Sequence, residues 1–213
     1  MKAFLARALG LWVLSWLGGC GSSTAPSELE LLTADFPVRV RNAGVEFELA
    51  NPPRRVLPAN ATWIDSVSLL MGPERVVALP REARGYSRLG TIAGWDTLPP
   101  LDAFDGERVL AMHPDLVLTH AWQSPETIAT LRRAGVPVLV AHVPRSWSEV
   151  TSALDRLGTI LGEQERAAAC LRALEERRSK LGQRAAAFQG LNALSYTNLG
   201  ACPWTSEIGR AHV

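Results

Sequence analysis

The sequence predicts an α/β fold: a Rossmann-like parallel sheet forming an N-terminal lobe, a long helix leaving it, and the start of a second α/β lobe. Three observations carry this reading. From Arg55 to Leu161, short apolar runs alternate with amphipathic stretches of helical period, the pattern of strands covered by helices on both faces. Glu163 to Phe188 then holds strong helix formers, with no proline and Gly182 as its single glycine. After Gly190, Leu191–Tyr196 reads as a new strand.

The elements follow in order. Val38–Arg41 and Val45–Leu49 alternate apolar and polar residues around Asn42-Ala43-Gly44, a hairpin with one wet face. Pro52-Pro53 ends it, and Arg55-Val56-Leu57 is a short strand. Thr62 is expected to cap a helix carrying Ile64, Val67, Leu70 and Met71, which stops at Gly72-Pro73. Arg75–Leu79, Leu116–Thr119 and Val136–Ala141 are apolar strands. Ser124-Pro125-Glu126 opens a helix with a capping serine, a first-turn proline and an acid at the positive helix end, and Gly135 closes it. Ser146-Trp147-Ser148-Glu149 is a capping box for a helix that puts Val150, Leu154, Leu157 and Leu161 on one face. The Glu163–Phe188 stretch suits one strut of about 37 Å between two lobes, at 1.5 Å per residue; two helices broken near Gly182 are the alternative.

Composition limits function. Twenty-two Lys and Arg face 21 Asp and Glu, for a net charge of +1, which excludes the strongly basic surface of non-specific nucleic-acid binding. Hydrophobic residues are 47% of the chain, which excludes a disordered chain.

The N-terminus reads as an address. Lys2 and Arg7 precede an apolar run, Ala8–Leu17, that is too short to span a bilayer, and Leu17-Gly18-Gly19-Cys20 follows. This resembles the lipobox of bacterial lipoproteins, so Cys20 is expected to carry a lipid and Gly21–Ser27 to be a flexible tether to the membrane surface. Cys170 and Cys202 remain, either paired or as two free thiols.

Five tryptophans lie beyond the leader: Trp63, Trp95, Trp122, Trp147 and Trp204. Four follow expected strands by a few residues, and Trp95 sits in a Gly/Pro-rich loop. Ligands of open parallel sheets bind at the carboxyl ends of the strands, so this set suggests an apolar-walled cleft with indole donors. Trp63 and Trp147 fit equally well as helix-start staples on the core. His120 and His142 also follow strands, each a candidate cleft residue or a hydrogen-bonded structural histidine. The dinucleotide fingerprint, the phosphate loop, the nucleophile elbow and the His-Glu-x-x-His zinc motif are all absent from the chain. No catalytic residue and no metal ligand set is therefore expected.

Several segments occur in a telling order: Phe36-Pro37-Val38-Arg39-Val40, Pro52-Pro53-Arg54-Arg55-Val56, Glu74–Leu79, His113-Pro114-Asp115-Leu116-Val117-Leu118 and Leu131–Val138. From about Phe36 to Trp204 this resembles the periplasmic substrate-binding proteins of ABC importers for iron–siderophore, haem and vitamin B12. The resemblance implies two α/β lobes on a rigid helix, a metal chelate held between them, an ABC permease and ATPase as partner, and no catalysis. It divides the chain into a signal (1–20), a tether (21–35), an N-terminal lobe (36–162), a backbone helix (163–189) and part of a second lobe (190–213). It implies ligand contacts from Asn60, Trp63, Tyr86, Trp95, His120, Trp122, Gln123, Arg145, Trp147, Asn198 and Trp204, and permease docking through Glu126. Arg145 would meet an anionic siderophore or a propionate, and His120 or Tyr86 would be the axial candidate for haem. No resident cofactor is implied, the bound chelate being cargo. The second lobe is expected to be incomplete, through a shortened gene or gene model, because Ser206–Val213 matches nothing in that fold. The rival readings are an orphan lipoprotein with a scaffold or sensor role, and a secreted Rossmann-like enzyme.

Overall fold

The computed structural model of the chain describes residues 29–83, 92, 94–142, 144–185, 192–198 and 203–210. Cys20, Tyr86 and Cys202 lie outside them. Three antiparallel strands come first: β1 (Glu30–Leu31), β2 (Val38–Asn42) and β3 (Val45–Leu49), paired in that order. Asn42 pairs with Val45, so the turn is the two residues Ala43 and Gly44. Both have positive φ, 50° and 74°. That is the primed turn that matches strand twist, and it explains the glycine.

The core of the lobe is a parallel sheet. β4 (Val56–Pro58), β7 (Leu116–His120) and β8 (Val138–Ala141) lie in the order β4-β7-β8. β5 (Leu79–Pro80) and β6 (Pro100–Leu101) form a second parallel pair. Val76 bridges Val56 in parallel and Val77 N–H reaches the Val56 carbonyl at 3.0 Å. The segment leading into β5 therefore continues the sheet beyond β4, in the order β6-β5-β4-β7-β8. The strand expected over Arg75–Leu79 is thus shorter than read, because Pro73–Arg75 forms a 3-10 turn first.

Helices cover both faces. α1 (Ala61–Leu70) and α4 (Trp147–Leu161) put Ile64, Val67, Leu70, Leu154, Leu157, Ile160 and Leu161 against Val56, Leu116, Leu118 and Leu139. α2 (Gly106–Ala111) and α3 (Pro125–Arg133) put Val109, Ile128 and Leu131 against Leu57, Val117, Val138 and Val140. Val150, expected on the buried face of α4, is exposed. It lies in the first turn, ahead of the buried stripe that begins at Leu154. α1 is capped by Asn60 and not by Thr62: Asn60 Oδ1 accepts from Trp63 N–H at 3.1 Å. Ser124 and Ser146 cap α3 and α4 as the sequence predicts.

α5 (Gln164–Ala185) is one uninterrupted helix of 22 residues, with Gly182 inside it, about 33 Å long. It crosses α4 closely. A Cβ on Gly158 would stand 2.4 Å from the Ala167 Cβ, so glycine alone allows the contact. Arg75 holds this corner. Its guanidinium pairs with Glu163 at 2.6 Å and donates to the Pro53 and Leu161 carbonyls. From Glu175 to Arg184 every side chain of α5 is exposed, so this half projects from the lobe. Cys170 is a free thiol. β9 (Asn192–Asn198) confirms the strand read after Gly190, but it pairs antiparallel with β10 (Pro203–Arg210). Ser206–Arg210, the start of the tail that matches nothing in the family's fold, is strand here, paired with β9 at Ser206, Gly209 and Arg210 and irregular between Ser206 and Gly209.

The outer edge of β8 is closed by a side chain. Asn42 Nδ2 donates to the Val140 carbonyl at 2.9 Å, and Val140 N–H donates to Asn42 Oδ1 at 2.7 Å. A buried amide thus stands in for the next strand and ties the hairpin to the sheet. Asn42→Ala leaves one buried N–H and one buried carbonyl unpaired, so it should cost about 2 kcal/mol or more. Urea unfolding checks this; a loss below about 0.5 kcal/mol would show that the edge does not need the amide.

Candidate functional site

In the order β6-β5-β4-β7-β8 the chain winds outward in opposite directions from β4 and β7. Crossovers leave the two strands on opposite sides, so a crevice opens at their carboxyl ends, where ligands of such sheets sit. The residues following β4, β7 and β8 are Ala59-Asn60, Ala121-Trp122-Gln123 and His142. Asn60, His120, Trp122 and Gln123 are therefore brought to one edge by the strand register alone. Arg145 and Trp147 follow β8 on the same connection.

The side chains there differ in what they can still do. Asn60 spends its Oδ1 on the α1 cap, while its Nδ2 is buried with no hydrogen-bond partner among the described residues. Thr119 Oγ1 is likewise buried and unpartnered; a lone hydroxyl in an otherwise apolar strand was the sequence signal for it. His120 is 2% exposed, and its Nδ1 lies 3.1 Å from the Ala141 carbonyl. That carbonyl can only accept, so Nδ1 carries the proton and the lone pair of the neutral ring is on Nε2. Burial pushes the His120 pKa below its ordinary value; the Ala141 hydrogen bond opposes this, and nearby His142 adds to it. Burial therefore favours the uncharged form of the ring.

Trp122 stands over His120, with ring centroids 4.4 Å apart and the planes tilted by 35°. It is 70% exposed. Gln123 N–H donates to the His120 carbonyl at 3.1 Å, closing a tight turn that hands the chain to the Ser124 cap of α3. Glu126 is exposed in the first turn of α3, where the helix dipole favours an acid. Arg145 is exposed, its backbone N–H held by Glu149 at 2.7 Å. Its guanidinium has no ion pair among the described residues.

Three expected wall residues are turned elsewhere. Trp63 is 5% exposed and packs in the core, its indole N–H donating to the Thr119 carbonyl at 2.9 Å. It staples α1 to the end of β7. Trp95 is 2% exposed and belongs to the same core. Trp147 donates to Glu175 Oε2 at 2.9 Å and takes Arg178 over its ring at 5.4 Å, so it holds α4 to α5. In each case the ring finds core or helix surface, and for Trp63 and Trp147 the indole N–H is already used. Asn198 ends β9 and Trp204 lies near the start of β10, paired with Thr197; their side chains are outside the described residues. Tyr86 is outside them altogether. The Asp115 carboxylate takes the N–H groups of Arg54 and Arg55 at 2.7 and 2.9 Å, clamping the start of β4 to β7. Among the described residues no helix is long and apolar enough to cross a membrane, and no group of three His, Cys, Asp or Glu is placed to hold a metal ion.

No family model matches the chain. The chain is 23% identical over 180 residues to the uncharacterized ABC transporter substrate-binding lipoprotein YvrC of Bacillus subtilis, covering 76% of this chain and 54% of that protein. Among solved structures it is similar to a periplasmic haem-binding protein of Pseudomonas aeruginosa, with a TM-score of 0.54, 23% identity, and 63% and 48% of the two chains covered. It is also similar to a protein of the ABC-type Fe3+-hydroxamate transport system of Saccharomonospora viridis, with a TM-score of 0.56, 24% identity, and 68% and 55% covered. The chain thus spans about half the length of the relatives it matches. What it shares with them is the helix-backed parallel sheet and the helices around it: the chain has the fold of the periplasmic substrate-binding proteins of ABC importers, the family its sequence resembles.

Proposed function

We propose that the chain belongs to a receptor that captures a metal chelate outside the cytoplasmic membrane and delivers it to an ABC permease. The chelate is haem, a ferric siderophore or cobalamin. The observation that carries the reading is the switch point at the carboxyl ends of β4 and β7, with an exposed indole on its rim. Arg145, exposed and unpaired on the loop after β8, supplies a cation for a propionate or an anionic siderophore. Glu126, exposed on α3 beside the same edge, presents an acid to a basic permease loop. A lipid on Cys20, followed by the Gly21–Ser27 tether, keeps the receptor at the membrane surface. Asn198 and Trp204 are contacts from the far side of the cleft. α5 is the strut on which a second lobe faces the first.

Tryptophan fluorescence tests this directly. Titration of the purified protein with haemin, ferric siderophores and cobalamin should give saturable quenching by at least one of them, with a Kd in the micromolar range or below, about −8 kcal/mol or better. Linear, non-saturating quenching by all of them would overturn the proposal.

A further inference from the structure

Trp122 is more exposed than any other large apolar side chain among the described residues. An indole left in water gives up apolar burial that tryptophan usually finds, yet this one is not loosely placed. Its back face rests on the His120 ring at 4.4 Å. That ring is itself buried and fixed by the Ala141 carbonyl. The backbone around it is bonded on both sides, Ala121 N–H to the Ala141 carbonyl at 3.3 Å and Gln123 N–H to the His120 carbonyl at 3.1 Å. The last residue of β7, the end of β8 and the cap of α3 therefore all support one ring. With 70% of the residue exposed, most of the indole is left open to solvent.

A ring held from behind and otherwise mostly open to solvent is preorganised to stack, because little ordering remains when a second ring arrives. His120 behind it, its uncharged form favoured by burial, adds no charge that would favour an anion over a flat ring. Arg145 answers anionic charge, which haem propionates and ferric tris-catecholates both carry, so it does not separate those two. Resting on the chelate-receptor reading above, we infer that Trp122, backed by His120, is a stacking platform. It selects a chelate that presents a flat conjugated ring, a tetrapyrrole or the arene of a catecholate, over an aliphatic hydroxamate, which presents none.

Calorimetric titration of the purified protein and of Trp122→Ala and Trp122→Tyr tests the inference, with haemin, ferric tris-catecholate and the ferric complex of desferrioxamine as probes. Alanine should lower affinity for a ring-bearing probe about tenfold or more, the scale of a lost aromatic stack. Tyrosine should keep it within about threefold. Affinity for the desferrioxamine complex should be absent, or unchanged in both variants. A loss confined to haemin assigns a tetrapyrrole, and a loss confined to the catecholate assigns an arene-bearing siderophore. Wild-type affinity of Trp122→Ala for both ring-bearing probes overturns the inference. So does an equal loss for the desferrioxamine complex, or binding of that complex alone, and these results leave the receptor reading standing. Binding of none of the three, nor of cobalamin, by the wild type overturns the receptor reading as well. Because the side chain is mostly in water, Trp122→Ala should unfold at the wild-type temperature, which keeps a binding loss distinct from a folding defect.

Discussion

Everything at the candidate site depends on one constraint: β4 and β7 are adjacent parallel strands whose chains wind away in opposite directions. Hydrogen bonding aligns Val56–Pro58 with Leu116–Leu118 and Val117–His120 with Val138–Ala141. Once that register is set, the ends of all three strands meet at one edge. The crossovers to α1 and to α3 cannot both fill the space between them. A crevice is the topological consequence; His120 reaches it as the last residue of β7, and Asn60, Trp122 and Arg145 because they follow those strands by a few residues.

Side-chain clamps hold that register. Asp115 binds two backbone N–H groups at the start of β4, and Trp63 ties α1 to the Thr119 carbonyl at the far end of β7. Asn42 closes the free edge of β8 from both sides of one peptide. Arg75 and Glu163 fix the corner from which α5 leaves. The pair is only partly exposed and shares two further carbonyls, so its geometry is better defined than that of the surface pairs on α5, which contribute little. Buried polar groups make these ties directional in a way that the apolar core is not. A platform such as Trp122 requires this rigidity, since stacking rewards a ring that is already in place.

Much of this was legible in the residues. Ser124 and Ser146 announced their helices, the apolar runs announced β7 and β8, and the long glycine-poor stretch announced α5. Local chemistry decides each of these. The helix cap at Asn60 was misplaced by two residues because Asn60 and Thr62 both carry capping oxygens. The tryptophans were harder. A loop position shows that an indole is near an edge, not which way it turns. Trp63 turns inward because its N–H finds a carbonyl 56 residues away, and Trp147 turns to α5 because Glu175 waits 28 residues on. Such partners are set by packing, and no spacing in the chain foretells them. Among the described residues Trp122 has its ring contact with His120, two residues back, and it stays at the rim.

Hydrogen exchange of the protein with and without haemin tests most directly that the carboxyl edge of the sheet is the binding surface. The account predicts slowed exchange at the backbone amides of Asn60–Trp63, Ala121–Gln123 and Arg145–Trp147, with the opposite edge, where Arg54 and Arg55 meet His113 and Asp115, unchanged. Protection at the opposite edge, or none at the carboxyl edge when haemin is bound, would contradict it.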